Sequence, residues 1–251
     1  MIELIHLTKK YGNLTAVDDL TLKIEEGEFF GFLGPNGAGK TTTIRMITGL
    51  IRPTSGRIIL GGYDLAKEPL SAKKIVGFIP DRPFLYEKLS GREFLRFVAE
   101  LYGMRDGIYR RRVEELLSLF ELSQWGDELV ESYSHGMRQR LVFSAALIHN
   151  PKIIVVDEPM VGLDPKGMRL IKEIFQDFVR KGGTIFMSTH TLSLAEELCH
   201  RIGIIHQGKL IALGTKEEIR RKAKLPESRL EDIFITLTRE ENEGLGTAHP
   251  T

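Results

Sequence analysis

The chain has 251 residues, of which 42% are hydrophobic and 27% are charged, so it is long enough to bury one large core or a core with a subdomain. Its 35 Lys and Arg residues nearly balance 34 Asp and Glu residues, and a net charge of +1 does not favour a nucleic-acid partner recognised through bulk charge. Cys199 is the one cysteine, no apolar run reaches the ~18 residues of a membrane helix, and the first residues do not resemble a signal peptide, so we expect a cytosolic protein.

Short apolar runs separated by turns occupy the amino-terminal part of the chain. They cover residues 2–7, 20–24, 28–33 and 57–60. Runs of this length bounded by Gly, Asp and Asn are typical of β-strands. They predict a mixed sheet at the amino end.

A glycine-rich segment directly after the third run is typical of a phosphate-binding loop. Its glycines let successive backbone N–H groups turn into one concavity that holds phosphate oxygens. We expect Lys40 to bind the β- and γ-phosphates and the Thr41 hydroxyl to bind Mg²⁺, at a helix N-terminus whose dipole favours the same anion. A merely structural glycine turn would not need Lys-Thr at this offset. The predicted nucleotide-binding residues are Gly34, Pro35, Asn36, Gly37, Ala38, Gly39, Lys40, Thr41 and Thr42.

The middle of the chain changes to helical spacing. Ser90 and Glu93 form a capping-box pattern before an apolar stripe, and Val113, Leu116 and Phe120 recur at helical intervals. These patterns predict an α-helical insert over about residues 84–150.

Four apolar residues, 153–156, predict a strand buried on both faces, and Asp157 and Glu158 follow it. Open α/β sheets bind ligands at the carboxyl ends of their strands, so we expect Asp157 to hold Mg²⁺ directly or through water. Glu158 would polarise the attacking water. The alternative is that the two carboxylates only end a strand at the surface, and the phosphate loop upstream favours the metal site.

A strand–helix–strand rhythm and a hairpin complete the pattern. Asp164 and Pro165 begin a helix, a buried strand follows at 184–187, and strands at 201–206 and 209–213 flank a Gly-containing turn. Beyond residue 225 one more amphipathic helix is expected from Leu230, and residues 240–251 are expected to be frayed. The predicted division is an ATPase domain over 1–224 and a short, partly disordered extension over 225–251.

Residues 133–140, YSHGMRQR, resemble the signature sequence of ATP-binding cassette (ABC) ATPases, and they precede Asp157 at the spacing of that family. The resemblance runs from about residue 4 to residue 213. It implies an α/β fold with a P-loop NTPase core, in which helices flank a mixed sheet, an antiparallel β subdomain lies at the amino end and an α-helical subdomain is inserted. It also implies that Tyr11 stacks on adenine, that 162–164 form a dimer-contacting loop and that His190 is a switch histidine for the γ-phosphate.

The signature itself offers a second phosphate grip. Ser134 supplies a hydroxyl and Gly136 an unobstructed N–H at the start of a helix, whose dipole favours an anion. In the family this grip acts on ATP held by another subunit, so the resemblance implies two cassettes, identical or related, that sandwich two nucleotides head to tail. His135 replaces a common glycine and Met137 a common glutamine, so we expect an atypical signature that depends mainly on Ser134 and Gly136.

Asp81 stands where most relatives carry a glutamine, in the loop that joins the core to the helical subdomain. A carboxylate can bind Mg²⁺, but it adds negative charge beside phosphate and cannot donate a hydrogen bond as an amide does. Two interpretations stay open: a residue that senses the metal and relays to a partner, and a simple turn residue.

The resemblance implies an ATPase that uses ATP and Mg²⁺, with Lys40, Glu158 and His190 as catalytic residues. It would lie on the cytoplasmic face of the cell membrane and drive separate transmembrane permease subunits, which dock near residues 81–86. The segments 31–56 and 80–89 favour an exporter. The alternative is an ABC ATPase that acts on a ribosome, nucleic acid or a regulatory partner; the short insert without heptads counts against the DNA-repair type, and no nucleic-acid partner is expected.

Overall fold

The structure, a computed structural model, describes residues 1–82, 84–223 and 230–245. Ten strands in these residues form two sheets. Their bounds are β1 Ile2–Tyr11, β2 Leu14–Ile24, β3 Phe29–Leu33, β4 Ser55–Leu60, β5 Tyr63–Asp64, β6 Val76–Ile79, β7 Ile153–Asp157, β8 Thr184–Thr189, β9 Arg201–His206 and β10 Lys209–Gly214.

The larger sheet has six strands in the order β10-β9-β3-β8-β7-β6. All neighbours run parallel except β10, which forms the predicted hairpin with β9. The register places Leu33 beside Thr189, and Asp157 beside Ser188. The carboxyl ends of β3, β7 and β8 therefore meet at one edge of the sheet, where a parallel sheet binds its ligands.

The smaller sheet has four antiparallel strands in the order β2-β1-β4-β5. One mixed sheet at the amino end, as the strand pattern predicts, is therefore wrong: β1, β2 and β4 join the small sheet, whereas β3 lies inside the large one. The reason is burial. Every residue of β3 is buried, as suits a strand covered on both faces, whereas buried and exposed positions alternate along the carboxyl half of β2.

Nine α-helices occur in the part of the chain that the structure describes. The predicted capping box of Ser90 and Glu93 is present at the start of α3, a second one of Thr215 and Glu218 starts α8, and Asp164 caps α6 with Pro165 as its first residue. Helices α3, α4 and α5 lie in the predicted insert. The bounds are α1 Lys40–Ile47, α2 Pro69–Lys74, α3 Gly91–Leu101, α4 Asp106–Leu119, α5 His135–Leu147, α6 Pro165–Arg180, α7 Leu192–Leu198, α8 Lys216–Lys222 and α9 Leu230–Leu245.

Two hydrophobic clusters cover the two faces of the large sheet. Alternate residues of β7 divide between them: Ile154 and Val156 pack with the helical insert and α6, and Ile153 and Val155 pack with α1 and the small sheet. Because successive side chains of a strand point to opposite faces, one short strand joins the helical and β parts into one domain.

Helix α9 packs on the ATPase domain, with Leu230 and Ile233 buried in its core. The helix continues to Leu245, so residues 240–245 are helical, and the expected fraying of the chain from residue 240 stays a prediction. The predicted extension also includes 225–229 and 246–251, which lie outside the described residues. The domain boundary at 224 stays a prediction. None of the described helices is both long and apolar enough to span a membrane.

Candidate active site

The predicted phosphate loop joins the end of β3 to α1, and close backbone packing requires two of its glycines. A Cβ at Gly34 would collide with the carbonyl oxygen of Ile205, and one at Gly39 would collide with that of Ala16. Gly39 also has φ +111°, in the left-handed region that side chains disfavour. The loop is therefore held between β2 and β9, with its N–H groups at the start of α1.

Lys40 is buried although it is charged, with 7% of its surface exposed. Its Nζ donates hydrogen bonds to the carbonyl oxygens of Gly34 at 2.6 Å and Pro35 at 3.1 Å. Burial lowers its pKa, while the nearby carboxylates of Glu158 and Asp157 oppose that shift. The loop thus holds a cation directed inward, which suits an anionic group such as phosphate.

Asp157 lies beside the first turn of α1. Its Oδ2 accepts a hydrogen bond from the Thr41 hydroxyl at 3.2 Å, and its Oδ1 accepts one from the Ser188 hydroxyl. The side chains meet because β7 and β8 pair in parallel with Asp157 opposite Ser188. A hydroxyl and a buried carboxylate give an all-oxygen donor set, which fits Mg²⁺. Among the residues with described positions, no three His, Cys, Asp or Glu side chains form a metal cluster, so phosphate and water would complete the coordination.

Glu158 is held by the end of β8. Thr189 Oγ1 donates to its Oε2 at 3.1 Å, and the backbone N–H of His190 donates to its Oε1 at 2.9 Å. The residue has φ +50°, an uncommon conformation outside glycine, and its own N–H donates to the Ser188 carbonyl at 3.1 Å. The Glu158 carboxylate is therefore fixed at the same sheet edge as Asp157.

His190 contacts that carboxylate as well, with Nδ1 2.8 Å from Oε1 of Glu158. A carboxylate only accepts hydrogen bonds, so Nδ1 carries the proton in this pair. The neutral ring then has no N–H at Nε2. A hydrogen bond from Nε2 to a phosphate oxygen would need the protonated ring.

Ser188 and Thr189 are site residues that the sequence analysis did not assign. Both are buried, and they bind the two carboxylates that follow the neighbouring strand. The sequence did carry a signal for them. Two hydroxyl residues end β8, which is the next buried strand along the chain after β7, and parallel neighbours end at the same edge of a sheet.

Ser134 and Gly136 lie at the start of α5. The Ser134 hydroxyl is the helix cap and accepts from the Met137 N–H at 3.3 Å. A Cβ on Gly136 would meet only the Gly162 carbonyl oxygen, at 4.0 Å, so the space beside its Cα is open. The His135 ring packs against Gly162, where it would collide with an added Cβ, so the signature and the predicted dimer-contacting loop touch. This second group lies at the start of α5, on the helical insert.

The remaining predicted residues are exposed or half-buried. Tyr11 ends β1, and 46% of its surface is exposed, which leaves ring area on which a base can stack. Lys9 Nζ lies 5.0 Å from the centre of the same ring. Thr42 is half-buried in the first turn of α1. Asp81 is exposed and lies just beyond β6, whose last residue Ile79 pairs with Val156 of β7. It is near the correct edge, and its metal role stays a prediction.

Comparison with known proteins agrees with this geometry. Residues 17–161 match the protein family described as ABC transporter. The chain is 40% identical over 219 residues to the linearmycin resistance ATP-binding protein LnrL of Bacillus subtilis (strain 168), covering 87% of this chain and 70% of that protein. The family match spans the phosphate loop, the signature and both carboxylates.

Two solved structures share the fold. The ATP-binding subunit of an ABC transporter superposes with a TM-score of 0.90 at 35% identity, covering 95% of this chain and 99% of that one. A dimeric ATP-binding cassette in a post-hydrolysis state, bound to ADP and Pi, superposes with a TM-score of 0.78 at 27% identity, covering 86% and 98%. The predicted P-loop NTPase fold is confirmed, and the chain belongs to the ABC transporter family as an ATP-binding and ATP-hydrolysing subunit.

Proposed function

We propose that this chain hydrolyses ATP at the edge formed by β3, β7 and β8, as a head-to-tail dimer that drives transmembrane permease subunits in export. One observation supports the catalytic part above all: Glu158 is fixed by Thr189 and His190 beside Asp157, which the Thr41 hydroxyl reaches from the phosphate loop. The export direction is supported by the resistance function in the name of LnrL.

Lys40 and the loop N–H groups bind the phosphates, and Tyr11 stacks on the adenine. Thr41 and Asp157 would hold Mg²⁺, with Asp81 as a further candidate ligand. The metal, when bound, neutralises charge on the β- and γ-phosphates. The positive charge of Lys40 also neutralises the negative charge that builds up on the transferred phosphoryl group.

Glu158 orients the attacking water and accepts its proton as the water oxygen bonds to the γ-phosphorus. The bond from that phosphorus to the bridging oxygen breaks, and ADP and inorganic phosphate leave. Thr189 and His190 fix the orientation of the Glu158 carboxylate, so the carboxylate is pre-organised before substrate binds. His190 steadies the γ-phosphate through the Nε2 side of its ring.

Ser134 and Gly136 act on ATP bound to a second chain. Their place on the helical insert, at a capped helix N-terminus with an open glycine, suits a phosphate that approaches from outside. The dimeric relative bound to ADP and Pi supports this assembly. Hydrolysis removes the bridging γ-phosphate and lets the dimer reopen.

A groove on the helical insert suits the permease. It has a cavity of about 960 Å³ and is lined by residues 81–82 and 84–89 together with Phe97 and the start of α5. Phe84 is 81% exposed, and its ring meets Tyr86 edge-on at 5.5 Å. Exposed aromatic clusters mark interaction sites, and a short amphipathic segment of a transmembrane subunit is the proposed occupant. The chain would then lie on the cytoplasmic face of the membrane.

Turnover of the wild type and of Glu158→Gln tests the catalytic proposal. We expect kcat to fall about 10²- to 10⁴-fold in Glu158→Gln, since a general base is removed, and ATP to trap a dimer visible by light scattering. Glu173→Gln is the matched control, because Glu173 pairs with exposed Arg169 within α6. Full-rate hydrolysis by chains too dilute to associate would contradict the dimer. Purification from membranes with ribosomes or nucleic acid, and without an integral membrane protein, would support the non-transport alternative.

A further inference from the structure

The segment that lines the groove pairs with the segment that leads into the signature. The Val130 N–H donates to the Leu89 carbonyl at 2.9 Å, and the Glu131 N–H donates to the Glu87 carbonyl at 3.1 Å. An antiparallel bridge between Ser90 and its partner on the second segment continues the pairing. Residues 87–90 and 129–131 are thus connected like two short strands, three residues before Ser134.

Arg138, at the end of the first turn of α5, links these two segments. Its Nη1 donates to Oε1 of Glu87 at 2.9 Å, and its Nη2 donates to the Glu131 carbonyl at 2.9 Å. Its Nε donates to the Tyr133 carbonyl at 3.2 Å. All three guanidinium nitrogens are engaged, one with the groove segment and two with the backbone that directly precedes Ser134.

This contact fixes the positions of its acceptor groups more than it stabilises the fold. The Glu87 and Arg138 side chains are 55% and 33% exposed, and exposed ion pairs contribute little to the free energy of folding. The planar guanidinium, however, fixes three acceptors at once in a rigid fork, which a lysine ammonium on its flexible stem does not reproduce. A shift of Glu87 would therefore be felt at the Tyr133 and Glu131 carbonyls.

We infer that Arg138 is a positioning residue that holds Ser134 in place for the partner chain's ATP and, through Glu87, makes that position depend on what occupies the groove. The inference rests on the proposed function, in which Ser134 grips ATP of a second chain and a permease segment fills the groove. Occupation of the groove then changes dimer closure through one side chain, without contact to the nucleotide.

The test uses the full chain in the Glu158→Gln background and compares two affinities. Arg138→Lys is expected to weaken ATP-dependent dimerisation about tenfold, a typical coupling effect, while ATP binding to the monomer stays within twofold of the parent. A fold defect would lower both. Arg112→Lys is the matched control: Arg112 lies on α4, outside the signature, and bonds a carboxylate of its own helix and the Leu147 carbonyl, not the groove. It is expected to leave dimerisation unchanged.

Hydrogen exchange of the monomer gives a second readout that needs no dimer. The amides of Val130, Glu131 and Tyr133 should exchange faster in Arg138→Lys and in Glu87→Gln, and the double variant should add little, because both changes break one connection. Unchanged exchange at these amides, or dimerisation of Arg138→Lys within twofold of the parent, would overturn the inference. If the Glu158→Gln chain itself never dimerises with ATP, the proposed function fails, and the exchange data alone decide the role of Arg138.

Discussion

Nδ1 of His190 and Oε1 of Glu158 are 2.8 Å apart, and the two side chains differ sharply in exposure, at 61% and 15%. The exposed ring is thus tied to a nearly buried carboxylate, at the same oxygen that accepts the His190 backbone N–H. The direction of the Glu158 carboxylate depends on His190 before any phosphate is present. In the proposed mechanism His190 therefore has two roles, one toward Glu158 and one toward the γ-phosphate.

His190→Ala removes both roles and leaves the phosphate loop intact. We expect kcat to fall about 10²-fold or more, since a misplaced base loses orientation, while KM for ATP changes little because Lys40 still binds the phosphates. Steady-state ATPase kinetics measure both constants. His6→Ala is the matched control, since its Nδ1 lies 2.8 Å from Asp19 in a similar pair on the small sheet. A variant that kept a third of wild-type kcat would contradict the assignment.

Thr189→Val tests the other support of Glu158. Thr189 is 1% exposed, and its hydroxyl donates to Oε2 of Glu158 at 3.1 Å. Valine has nearly the same shape as threonine but lacks the hydroxyl. Hydrogen bonds to charged groups contribute about 1.5–3 kcal/mol, so we expect kcat to fall at least about tenfold with KM nearly constant. Thr189→Ser keeps the hydroxyl and should keep most of the activity. Equal rates for the valine and serine variants would show that the bond has no part in turnover.

The sequence predicts local features well. The phosphate loop, the two carboxylates Asp157 and Glu158, the capping box at Ser90 and the hairpin depend on neighbouring residues, so their spacing alone locates them. Gly34 was predicted for its freedom near phosphate, and the structure adds a second cause, the close approach of Ile205. Such a collision depends on β9, far along the chain, and no local pattern reports it.

Features that depend on distant pairing were not predicted. Ser188 and Thr189 become site residues only through the register of β7 with β8, 31 residues apart in each contact. Likewise, Arg138 stands inside a recognised motif, yet its partner Glu87 lies 51 residues earlier. The place of β3 in the large sheet depends on its pairing with β8 and β9, which lie far along the chain. The short apolar run indicates that the strand is buried but not which strands lie beside it.

Two glycines of the phosphate loop should respond differently to alanine. Gly34→Ala pushes a Cβ into the Ile205 backbone, and overpacking costs about 1–3 kcal/mol or more when the neighbour is backbone. A Cβ at Gly37 meets nothing within 4 Å, but φ is +79°, so Gly37→Ala costs about 1–2 kcal/mol from conformation alone. Urea unfolding measures both free energies.

Asparagine separates the two causes, because it tolerates a left-handed backbone better than alanine does. Gly37→Asn should recover part of the stability that Gly37→Ala loses, whereas Gly34→Asn should be no better than Gly34→Ala. Recovery at position 34, or none at position 37, would show that the steric and conformational explanations are assigned to the wrong residues.

His149 connects the helical insert to the large sheet and should make stability depend on pH. Its ring stacks on Tyr102 at 3.7 Å, and its Nε2 lies 3.1 Å from the Val76 carbonyl oxygen. Its Nδ1 is buried with no hydrogen-bond partner among the described residues. Burial lowers the His149 pKa to about 4, and the Val76 carbonyl opposes this only in part.

The folded pKa lies below the unfolded value of about 6.5, so the unfolded chain binds the proton first. The stability contribution of the neutral ring is complete above pH ~6.5 and is lost as pH falls toward 4, by up to about 3 kcal/mol. His149→Phe keeps a stacking ring that does not titrate, at a cost of about 1 kcal/mol at neutral pH for the lost bond to Val76. Free energies of unfolding measured from pH 7.5 to 4 should therefore meet and then cross on acidification, because the wild type starts about 1 kcal/mol higher and loses up to about 3 kcal/mol. Curves that stay parallel would show that His149 titrates normally.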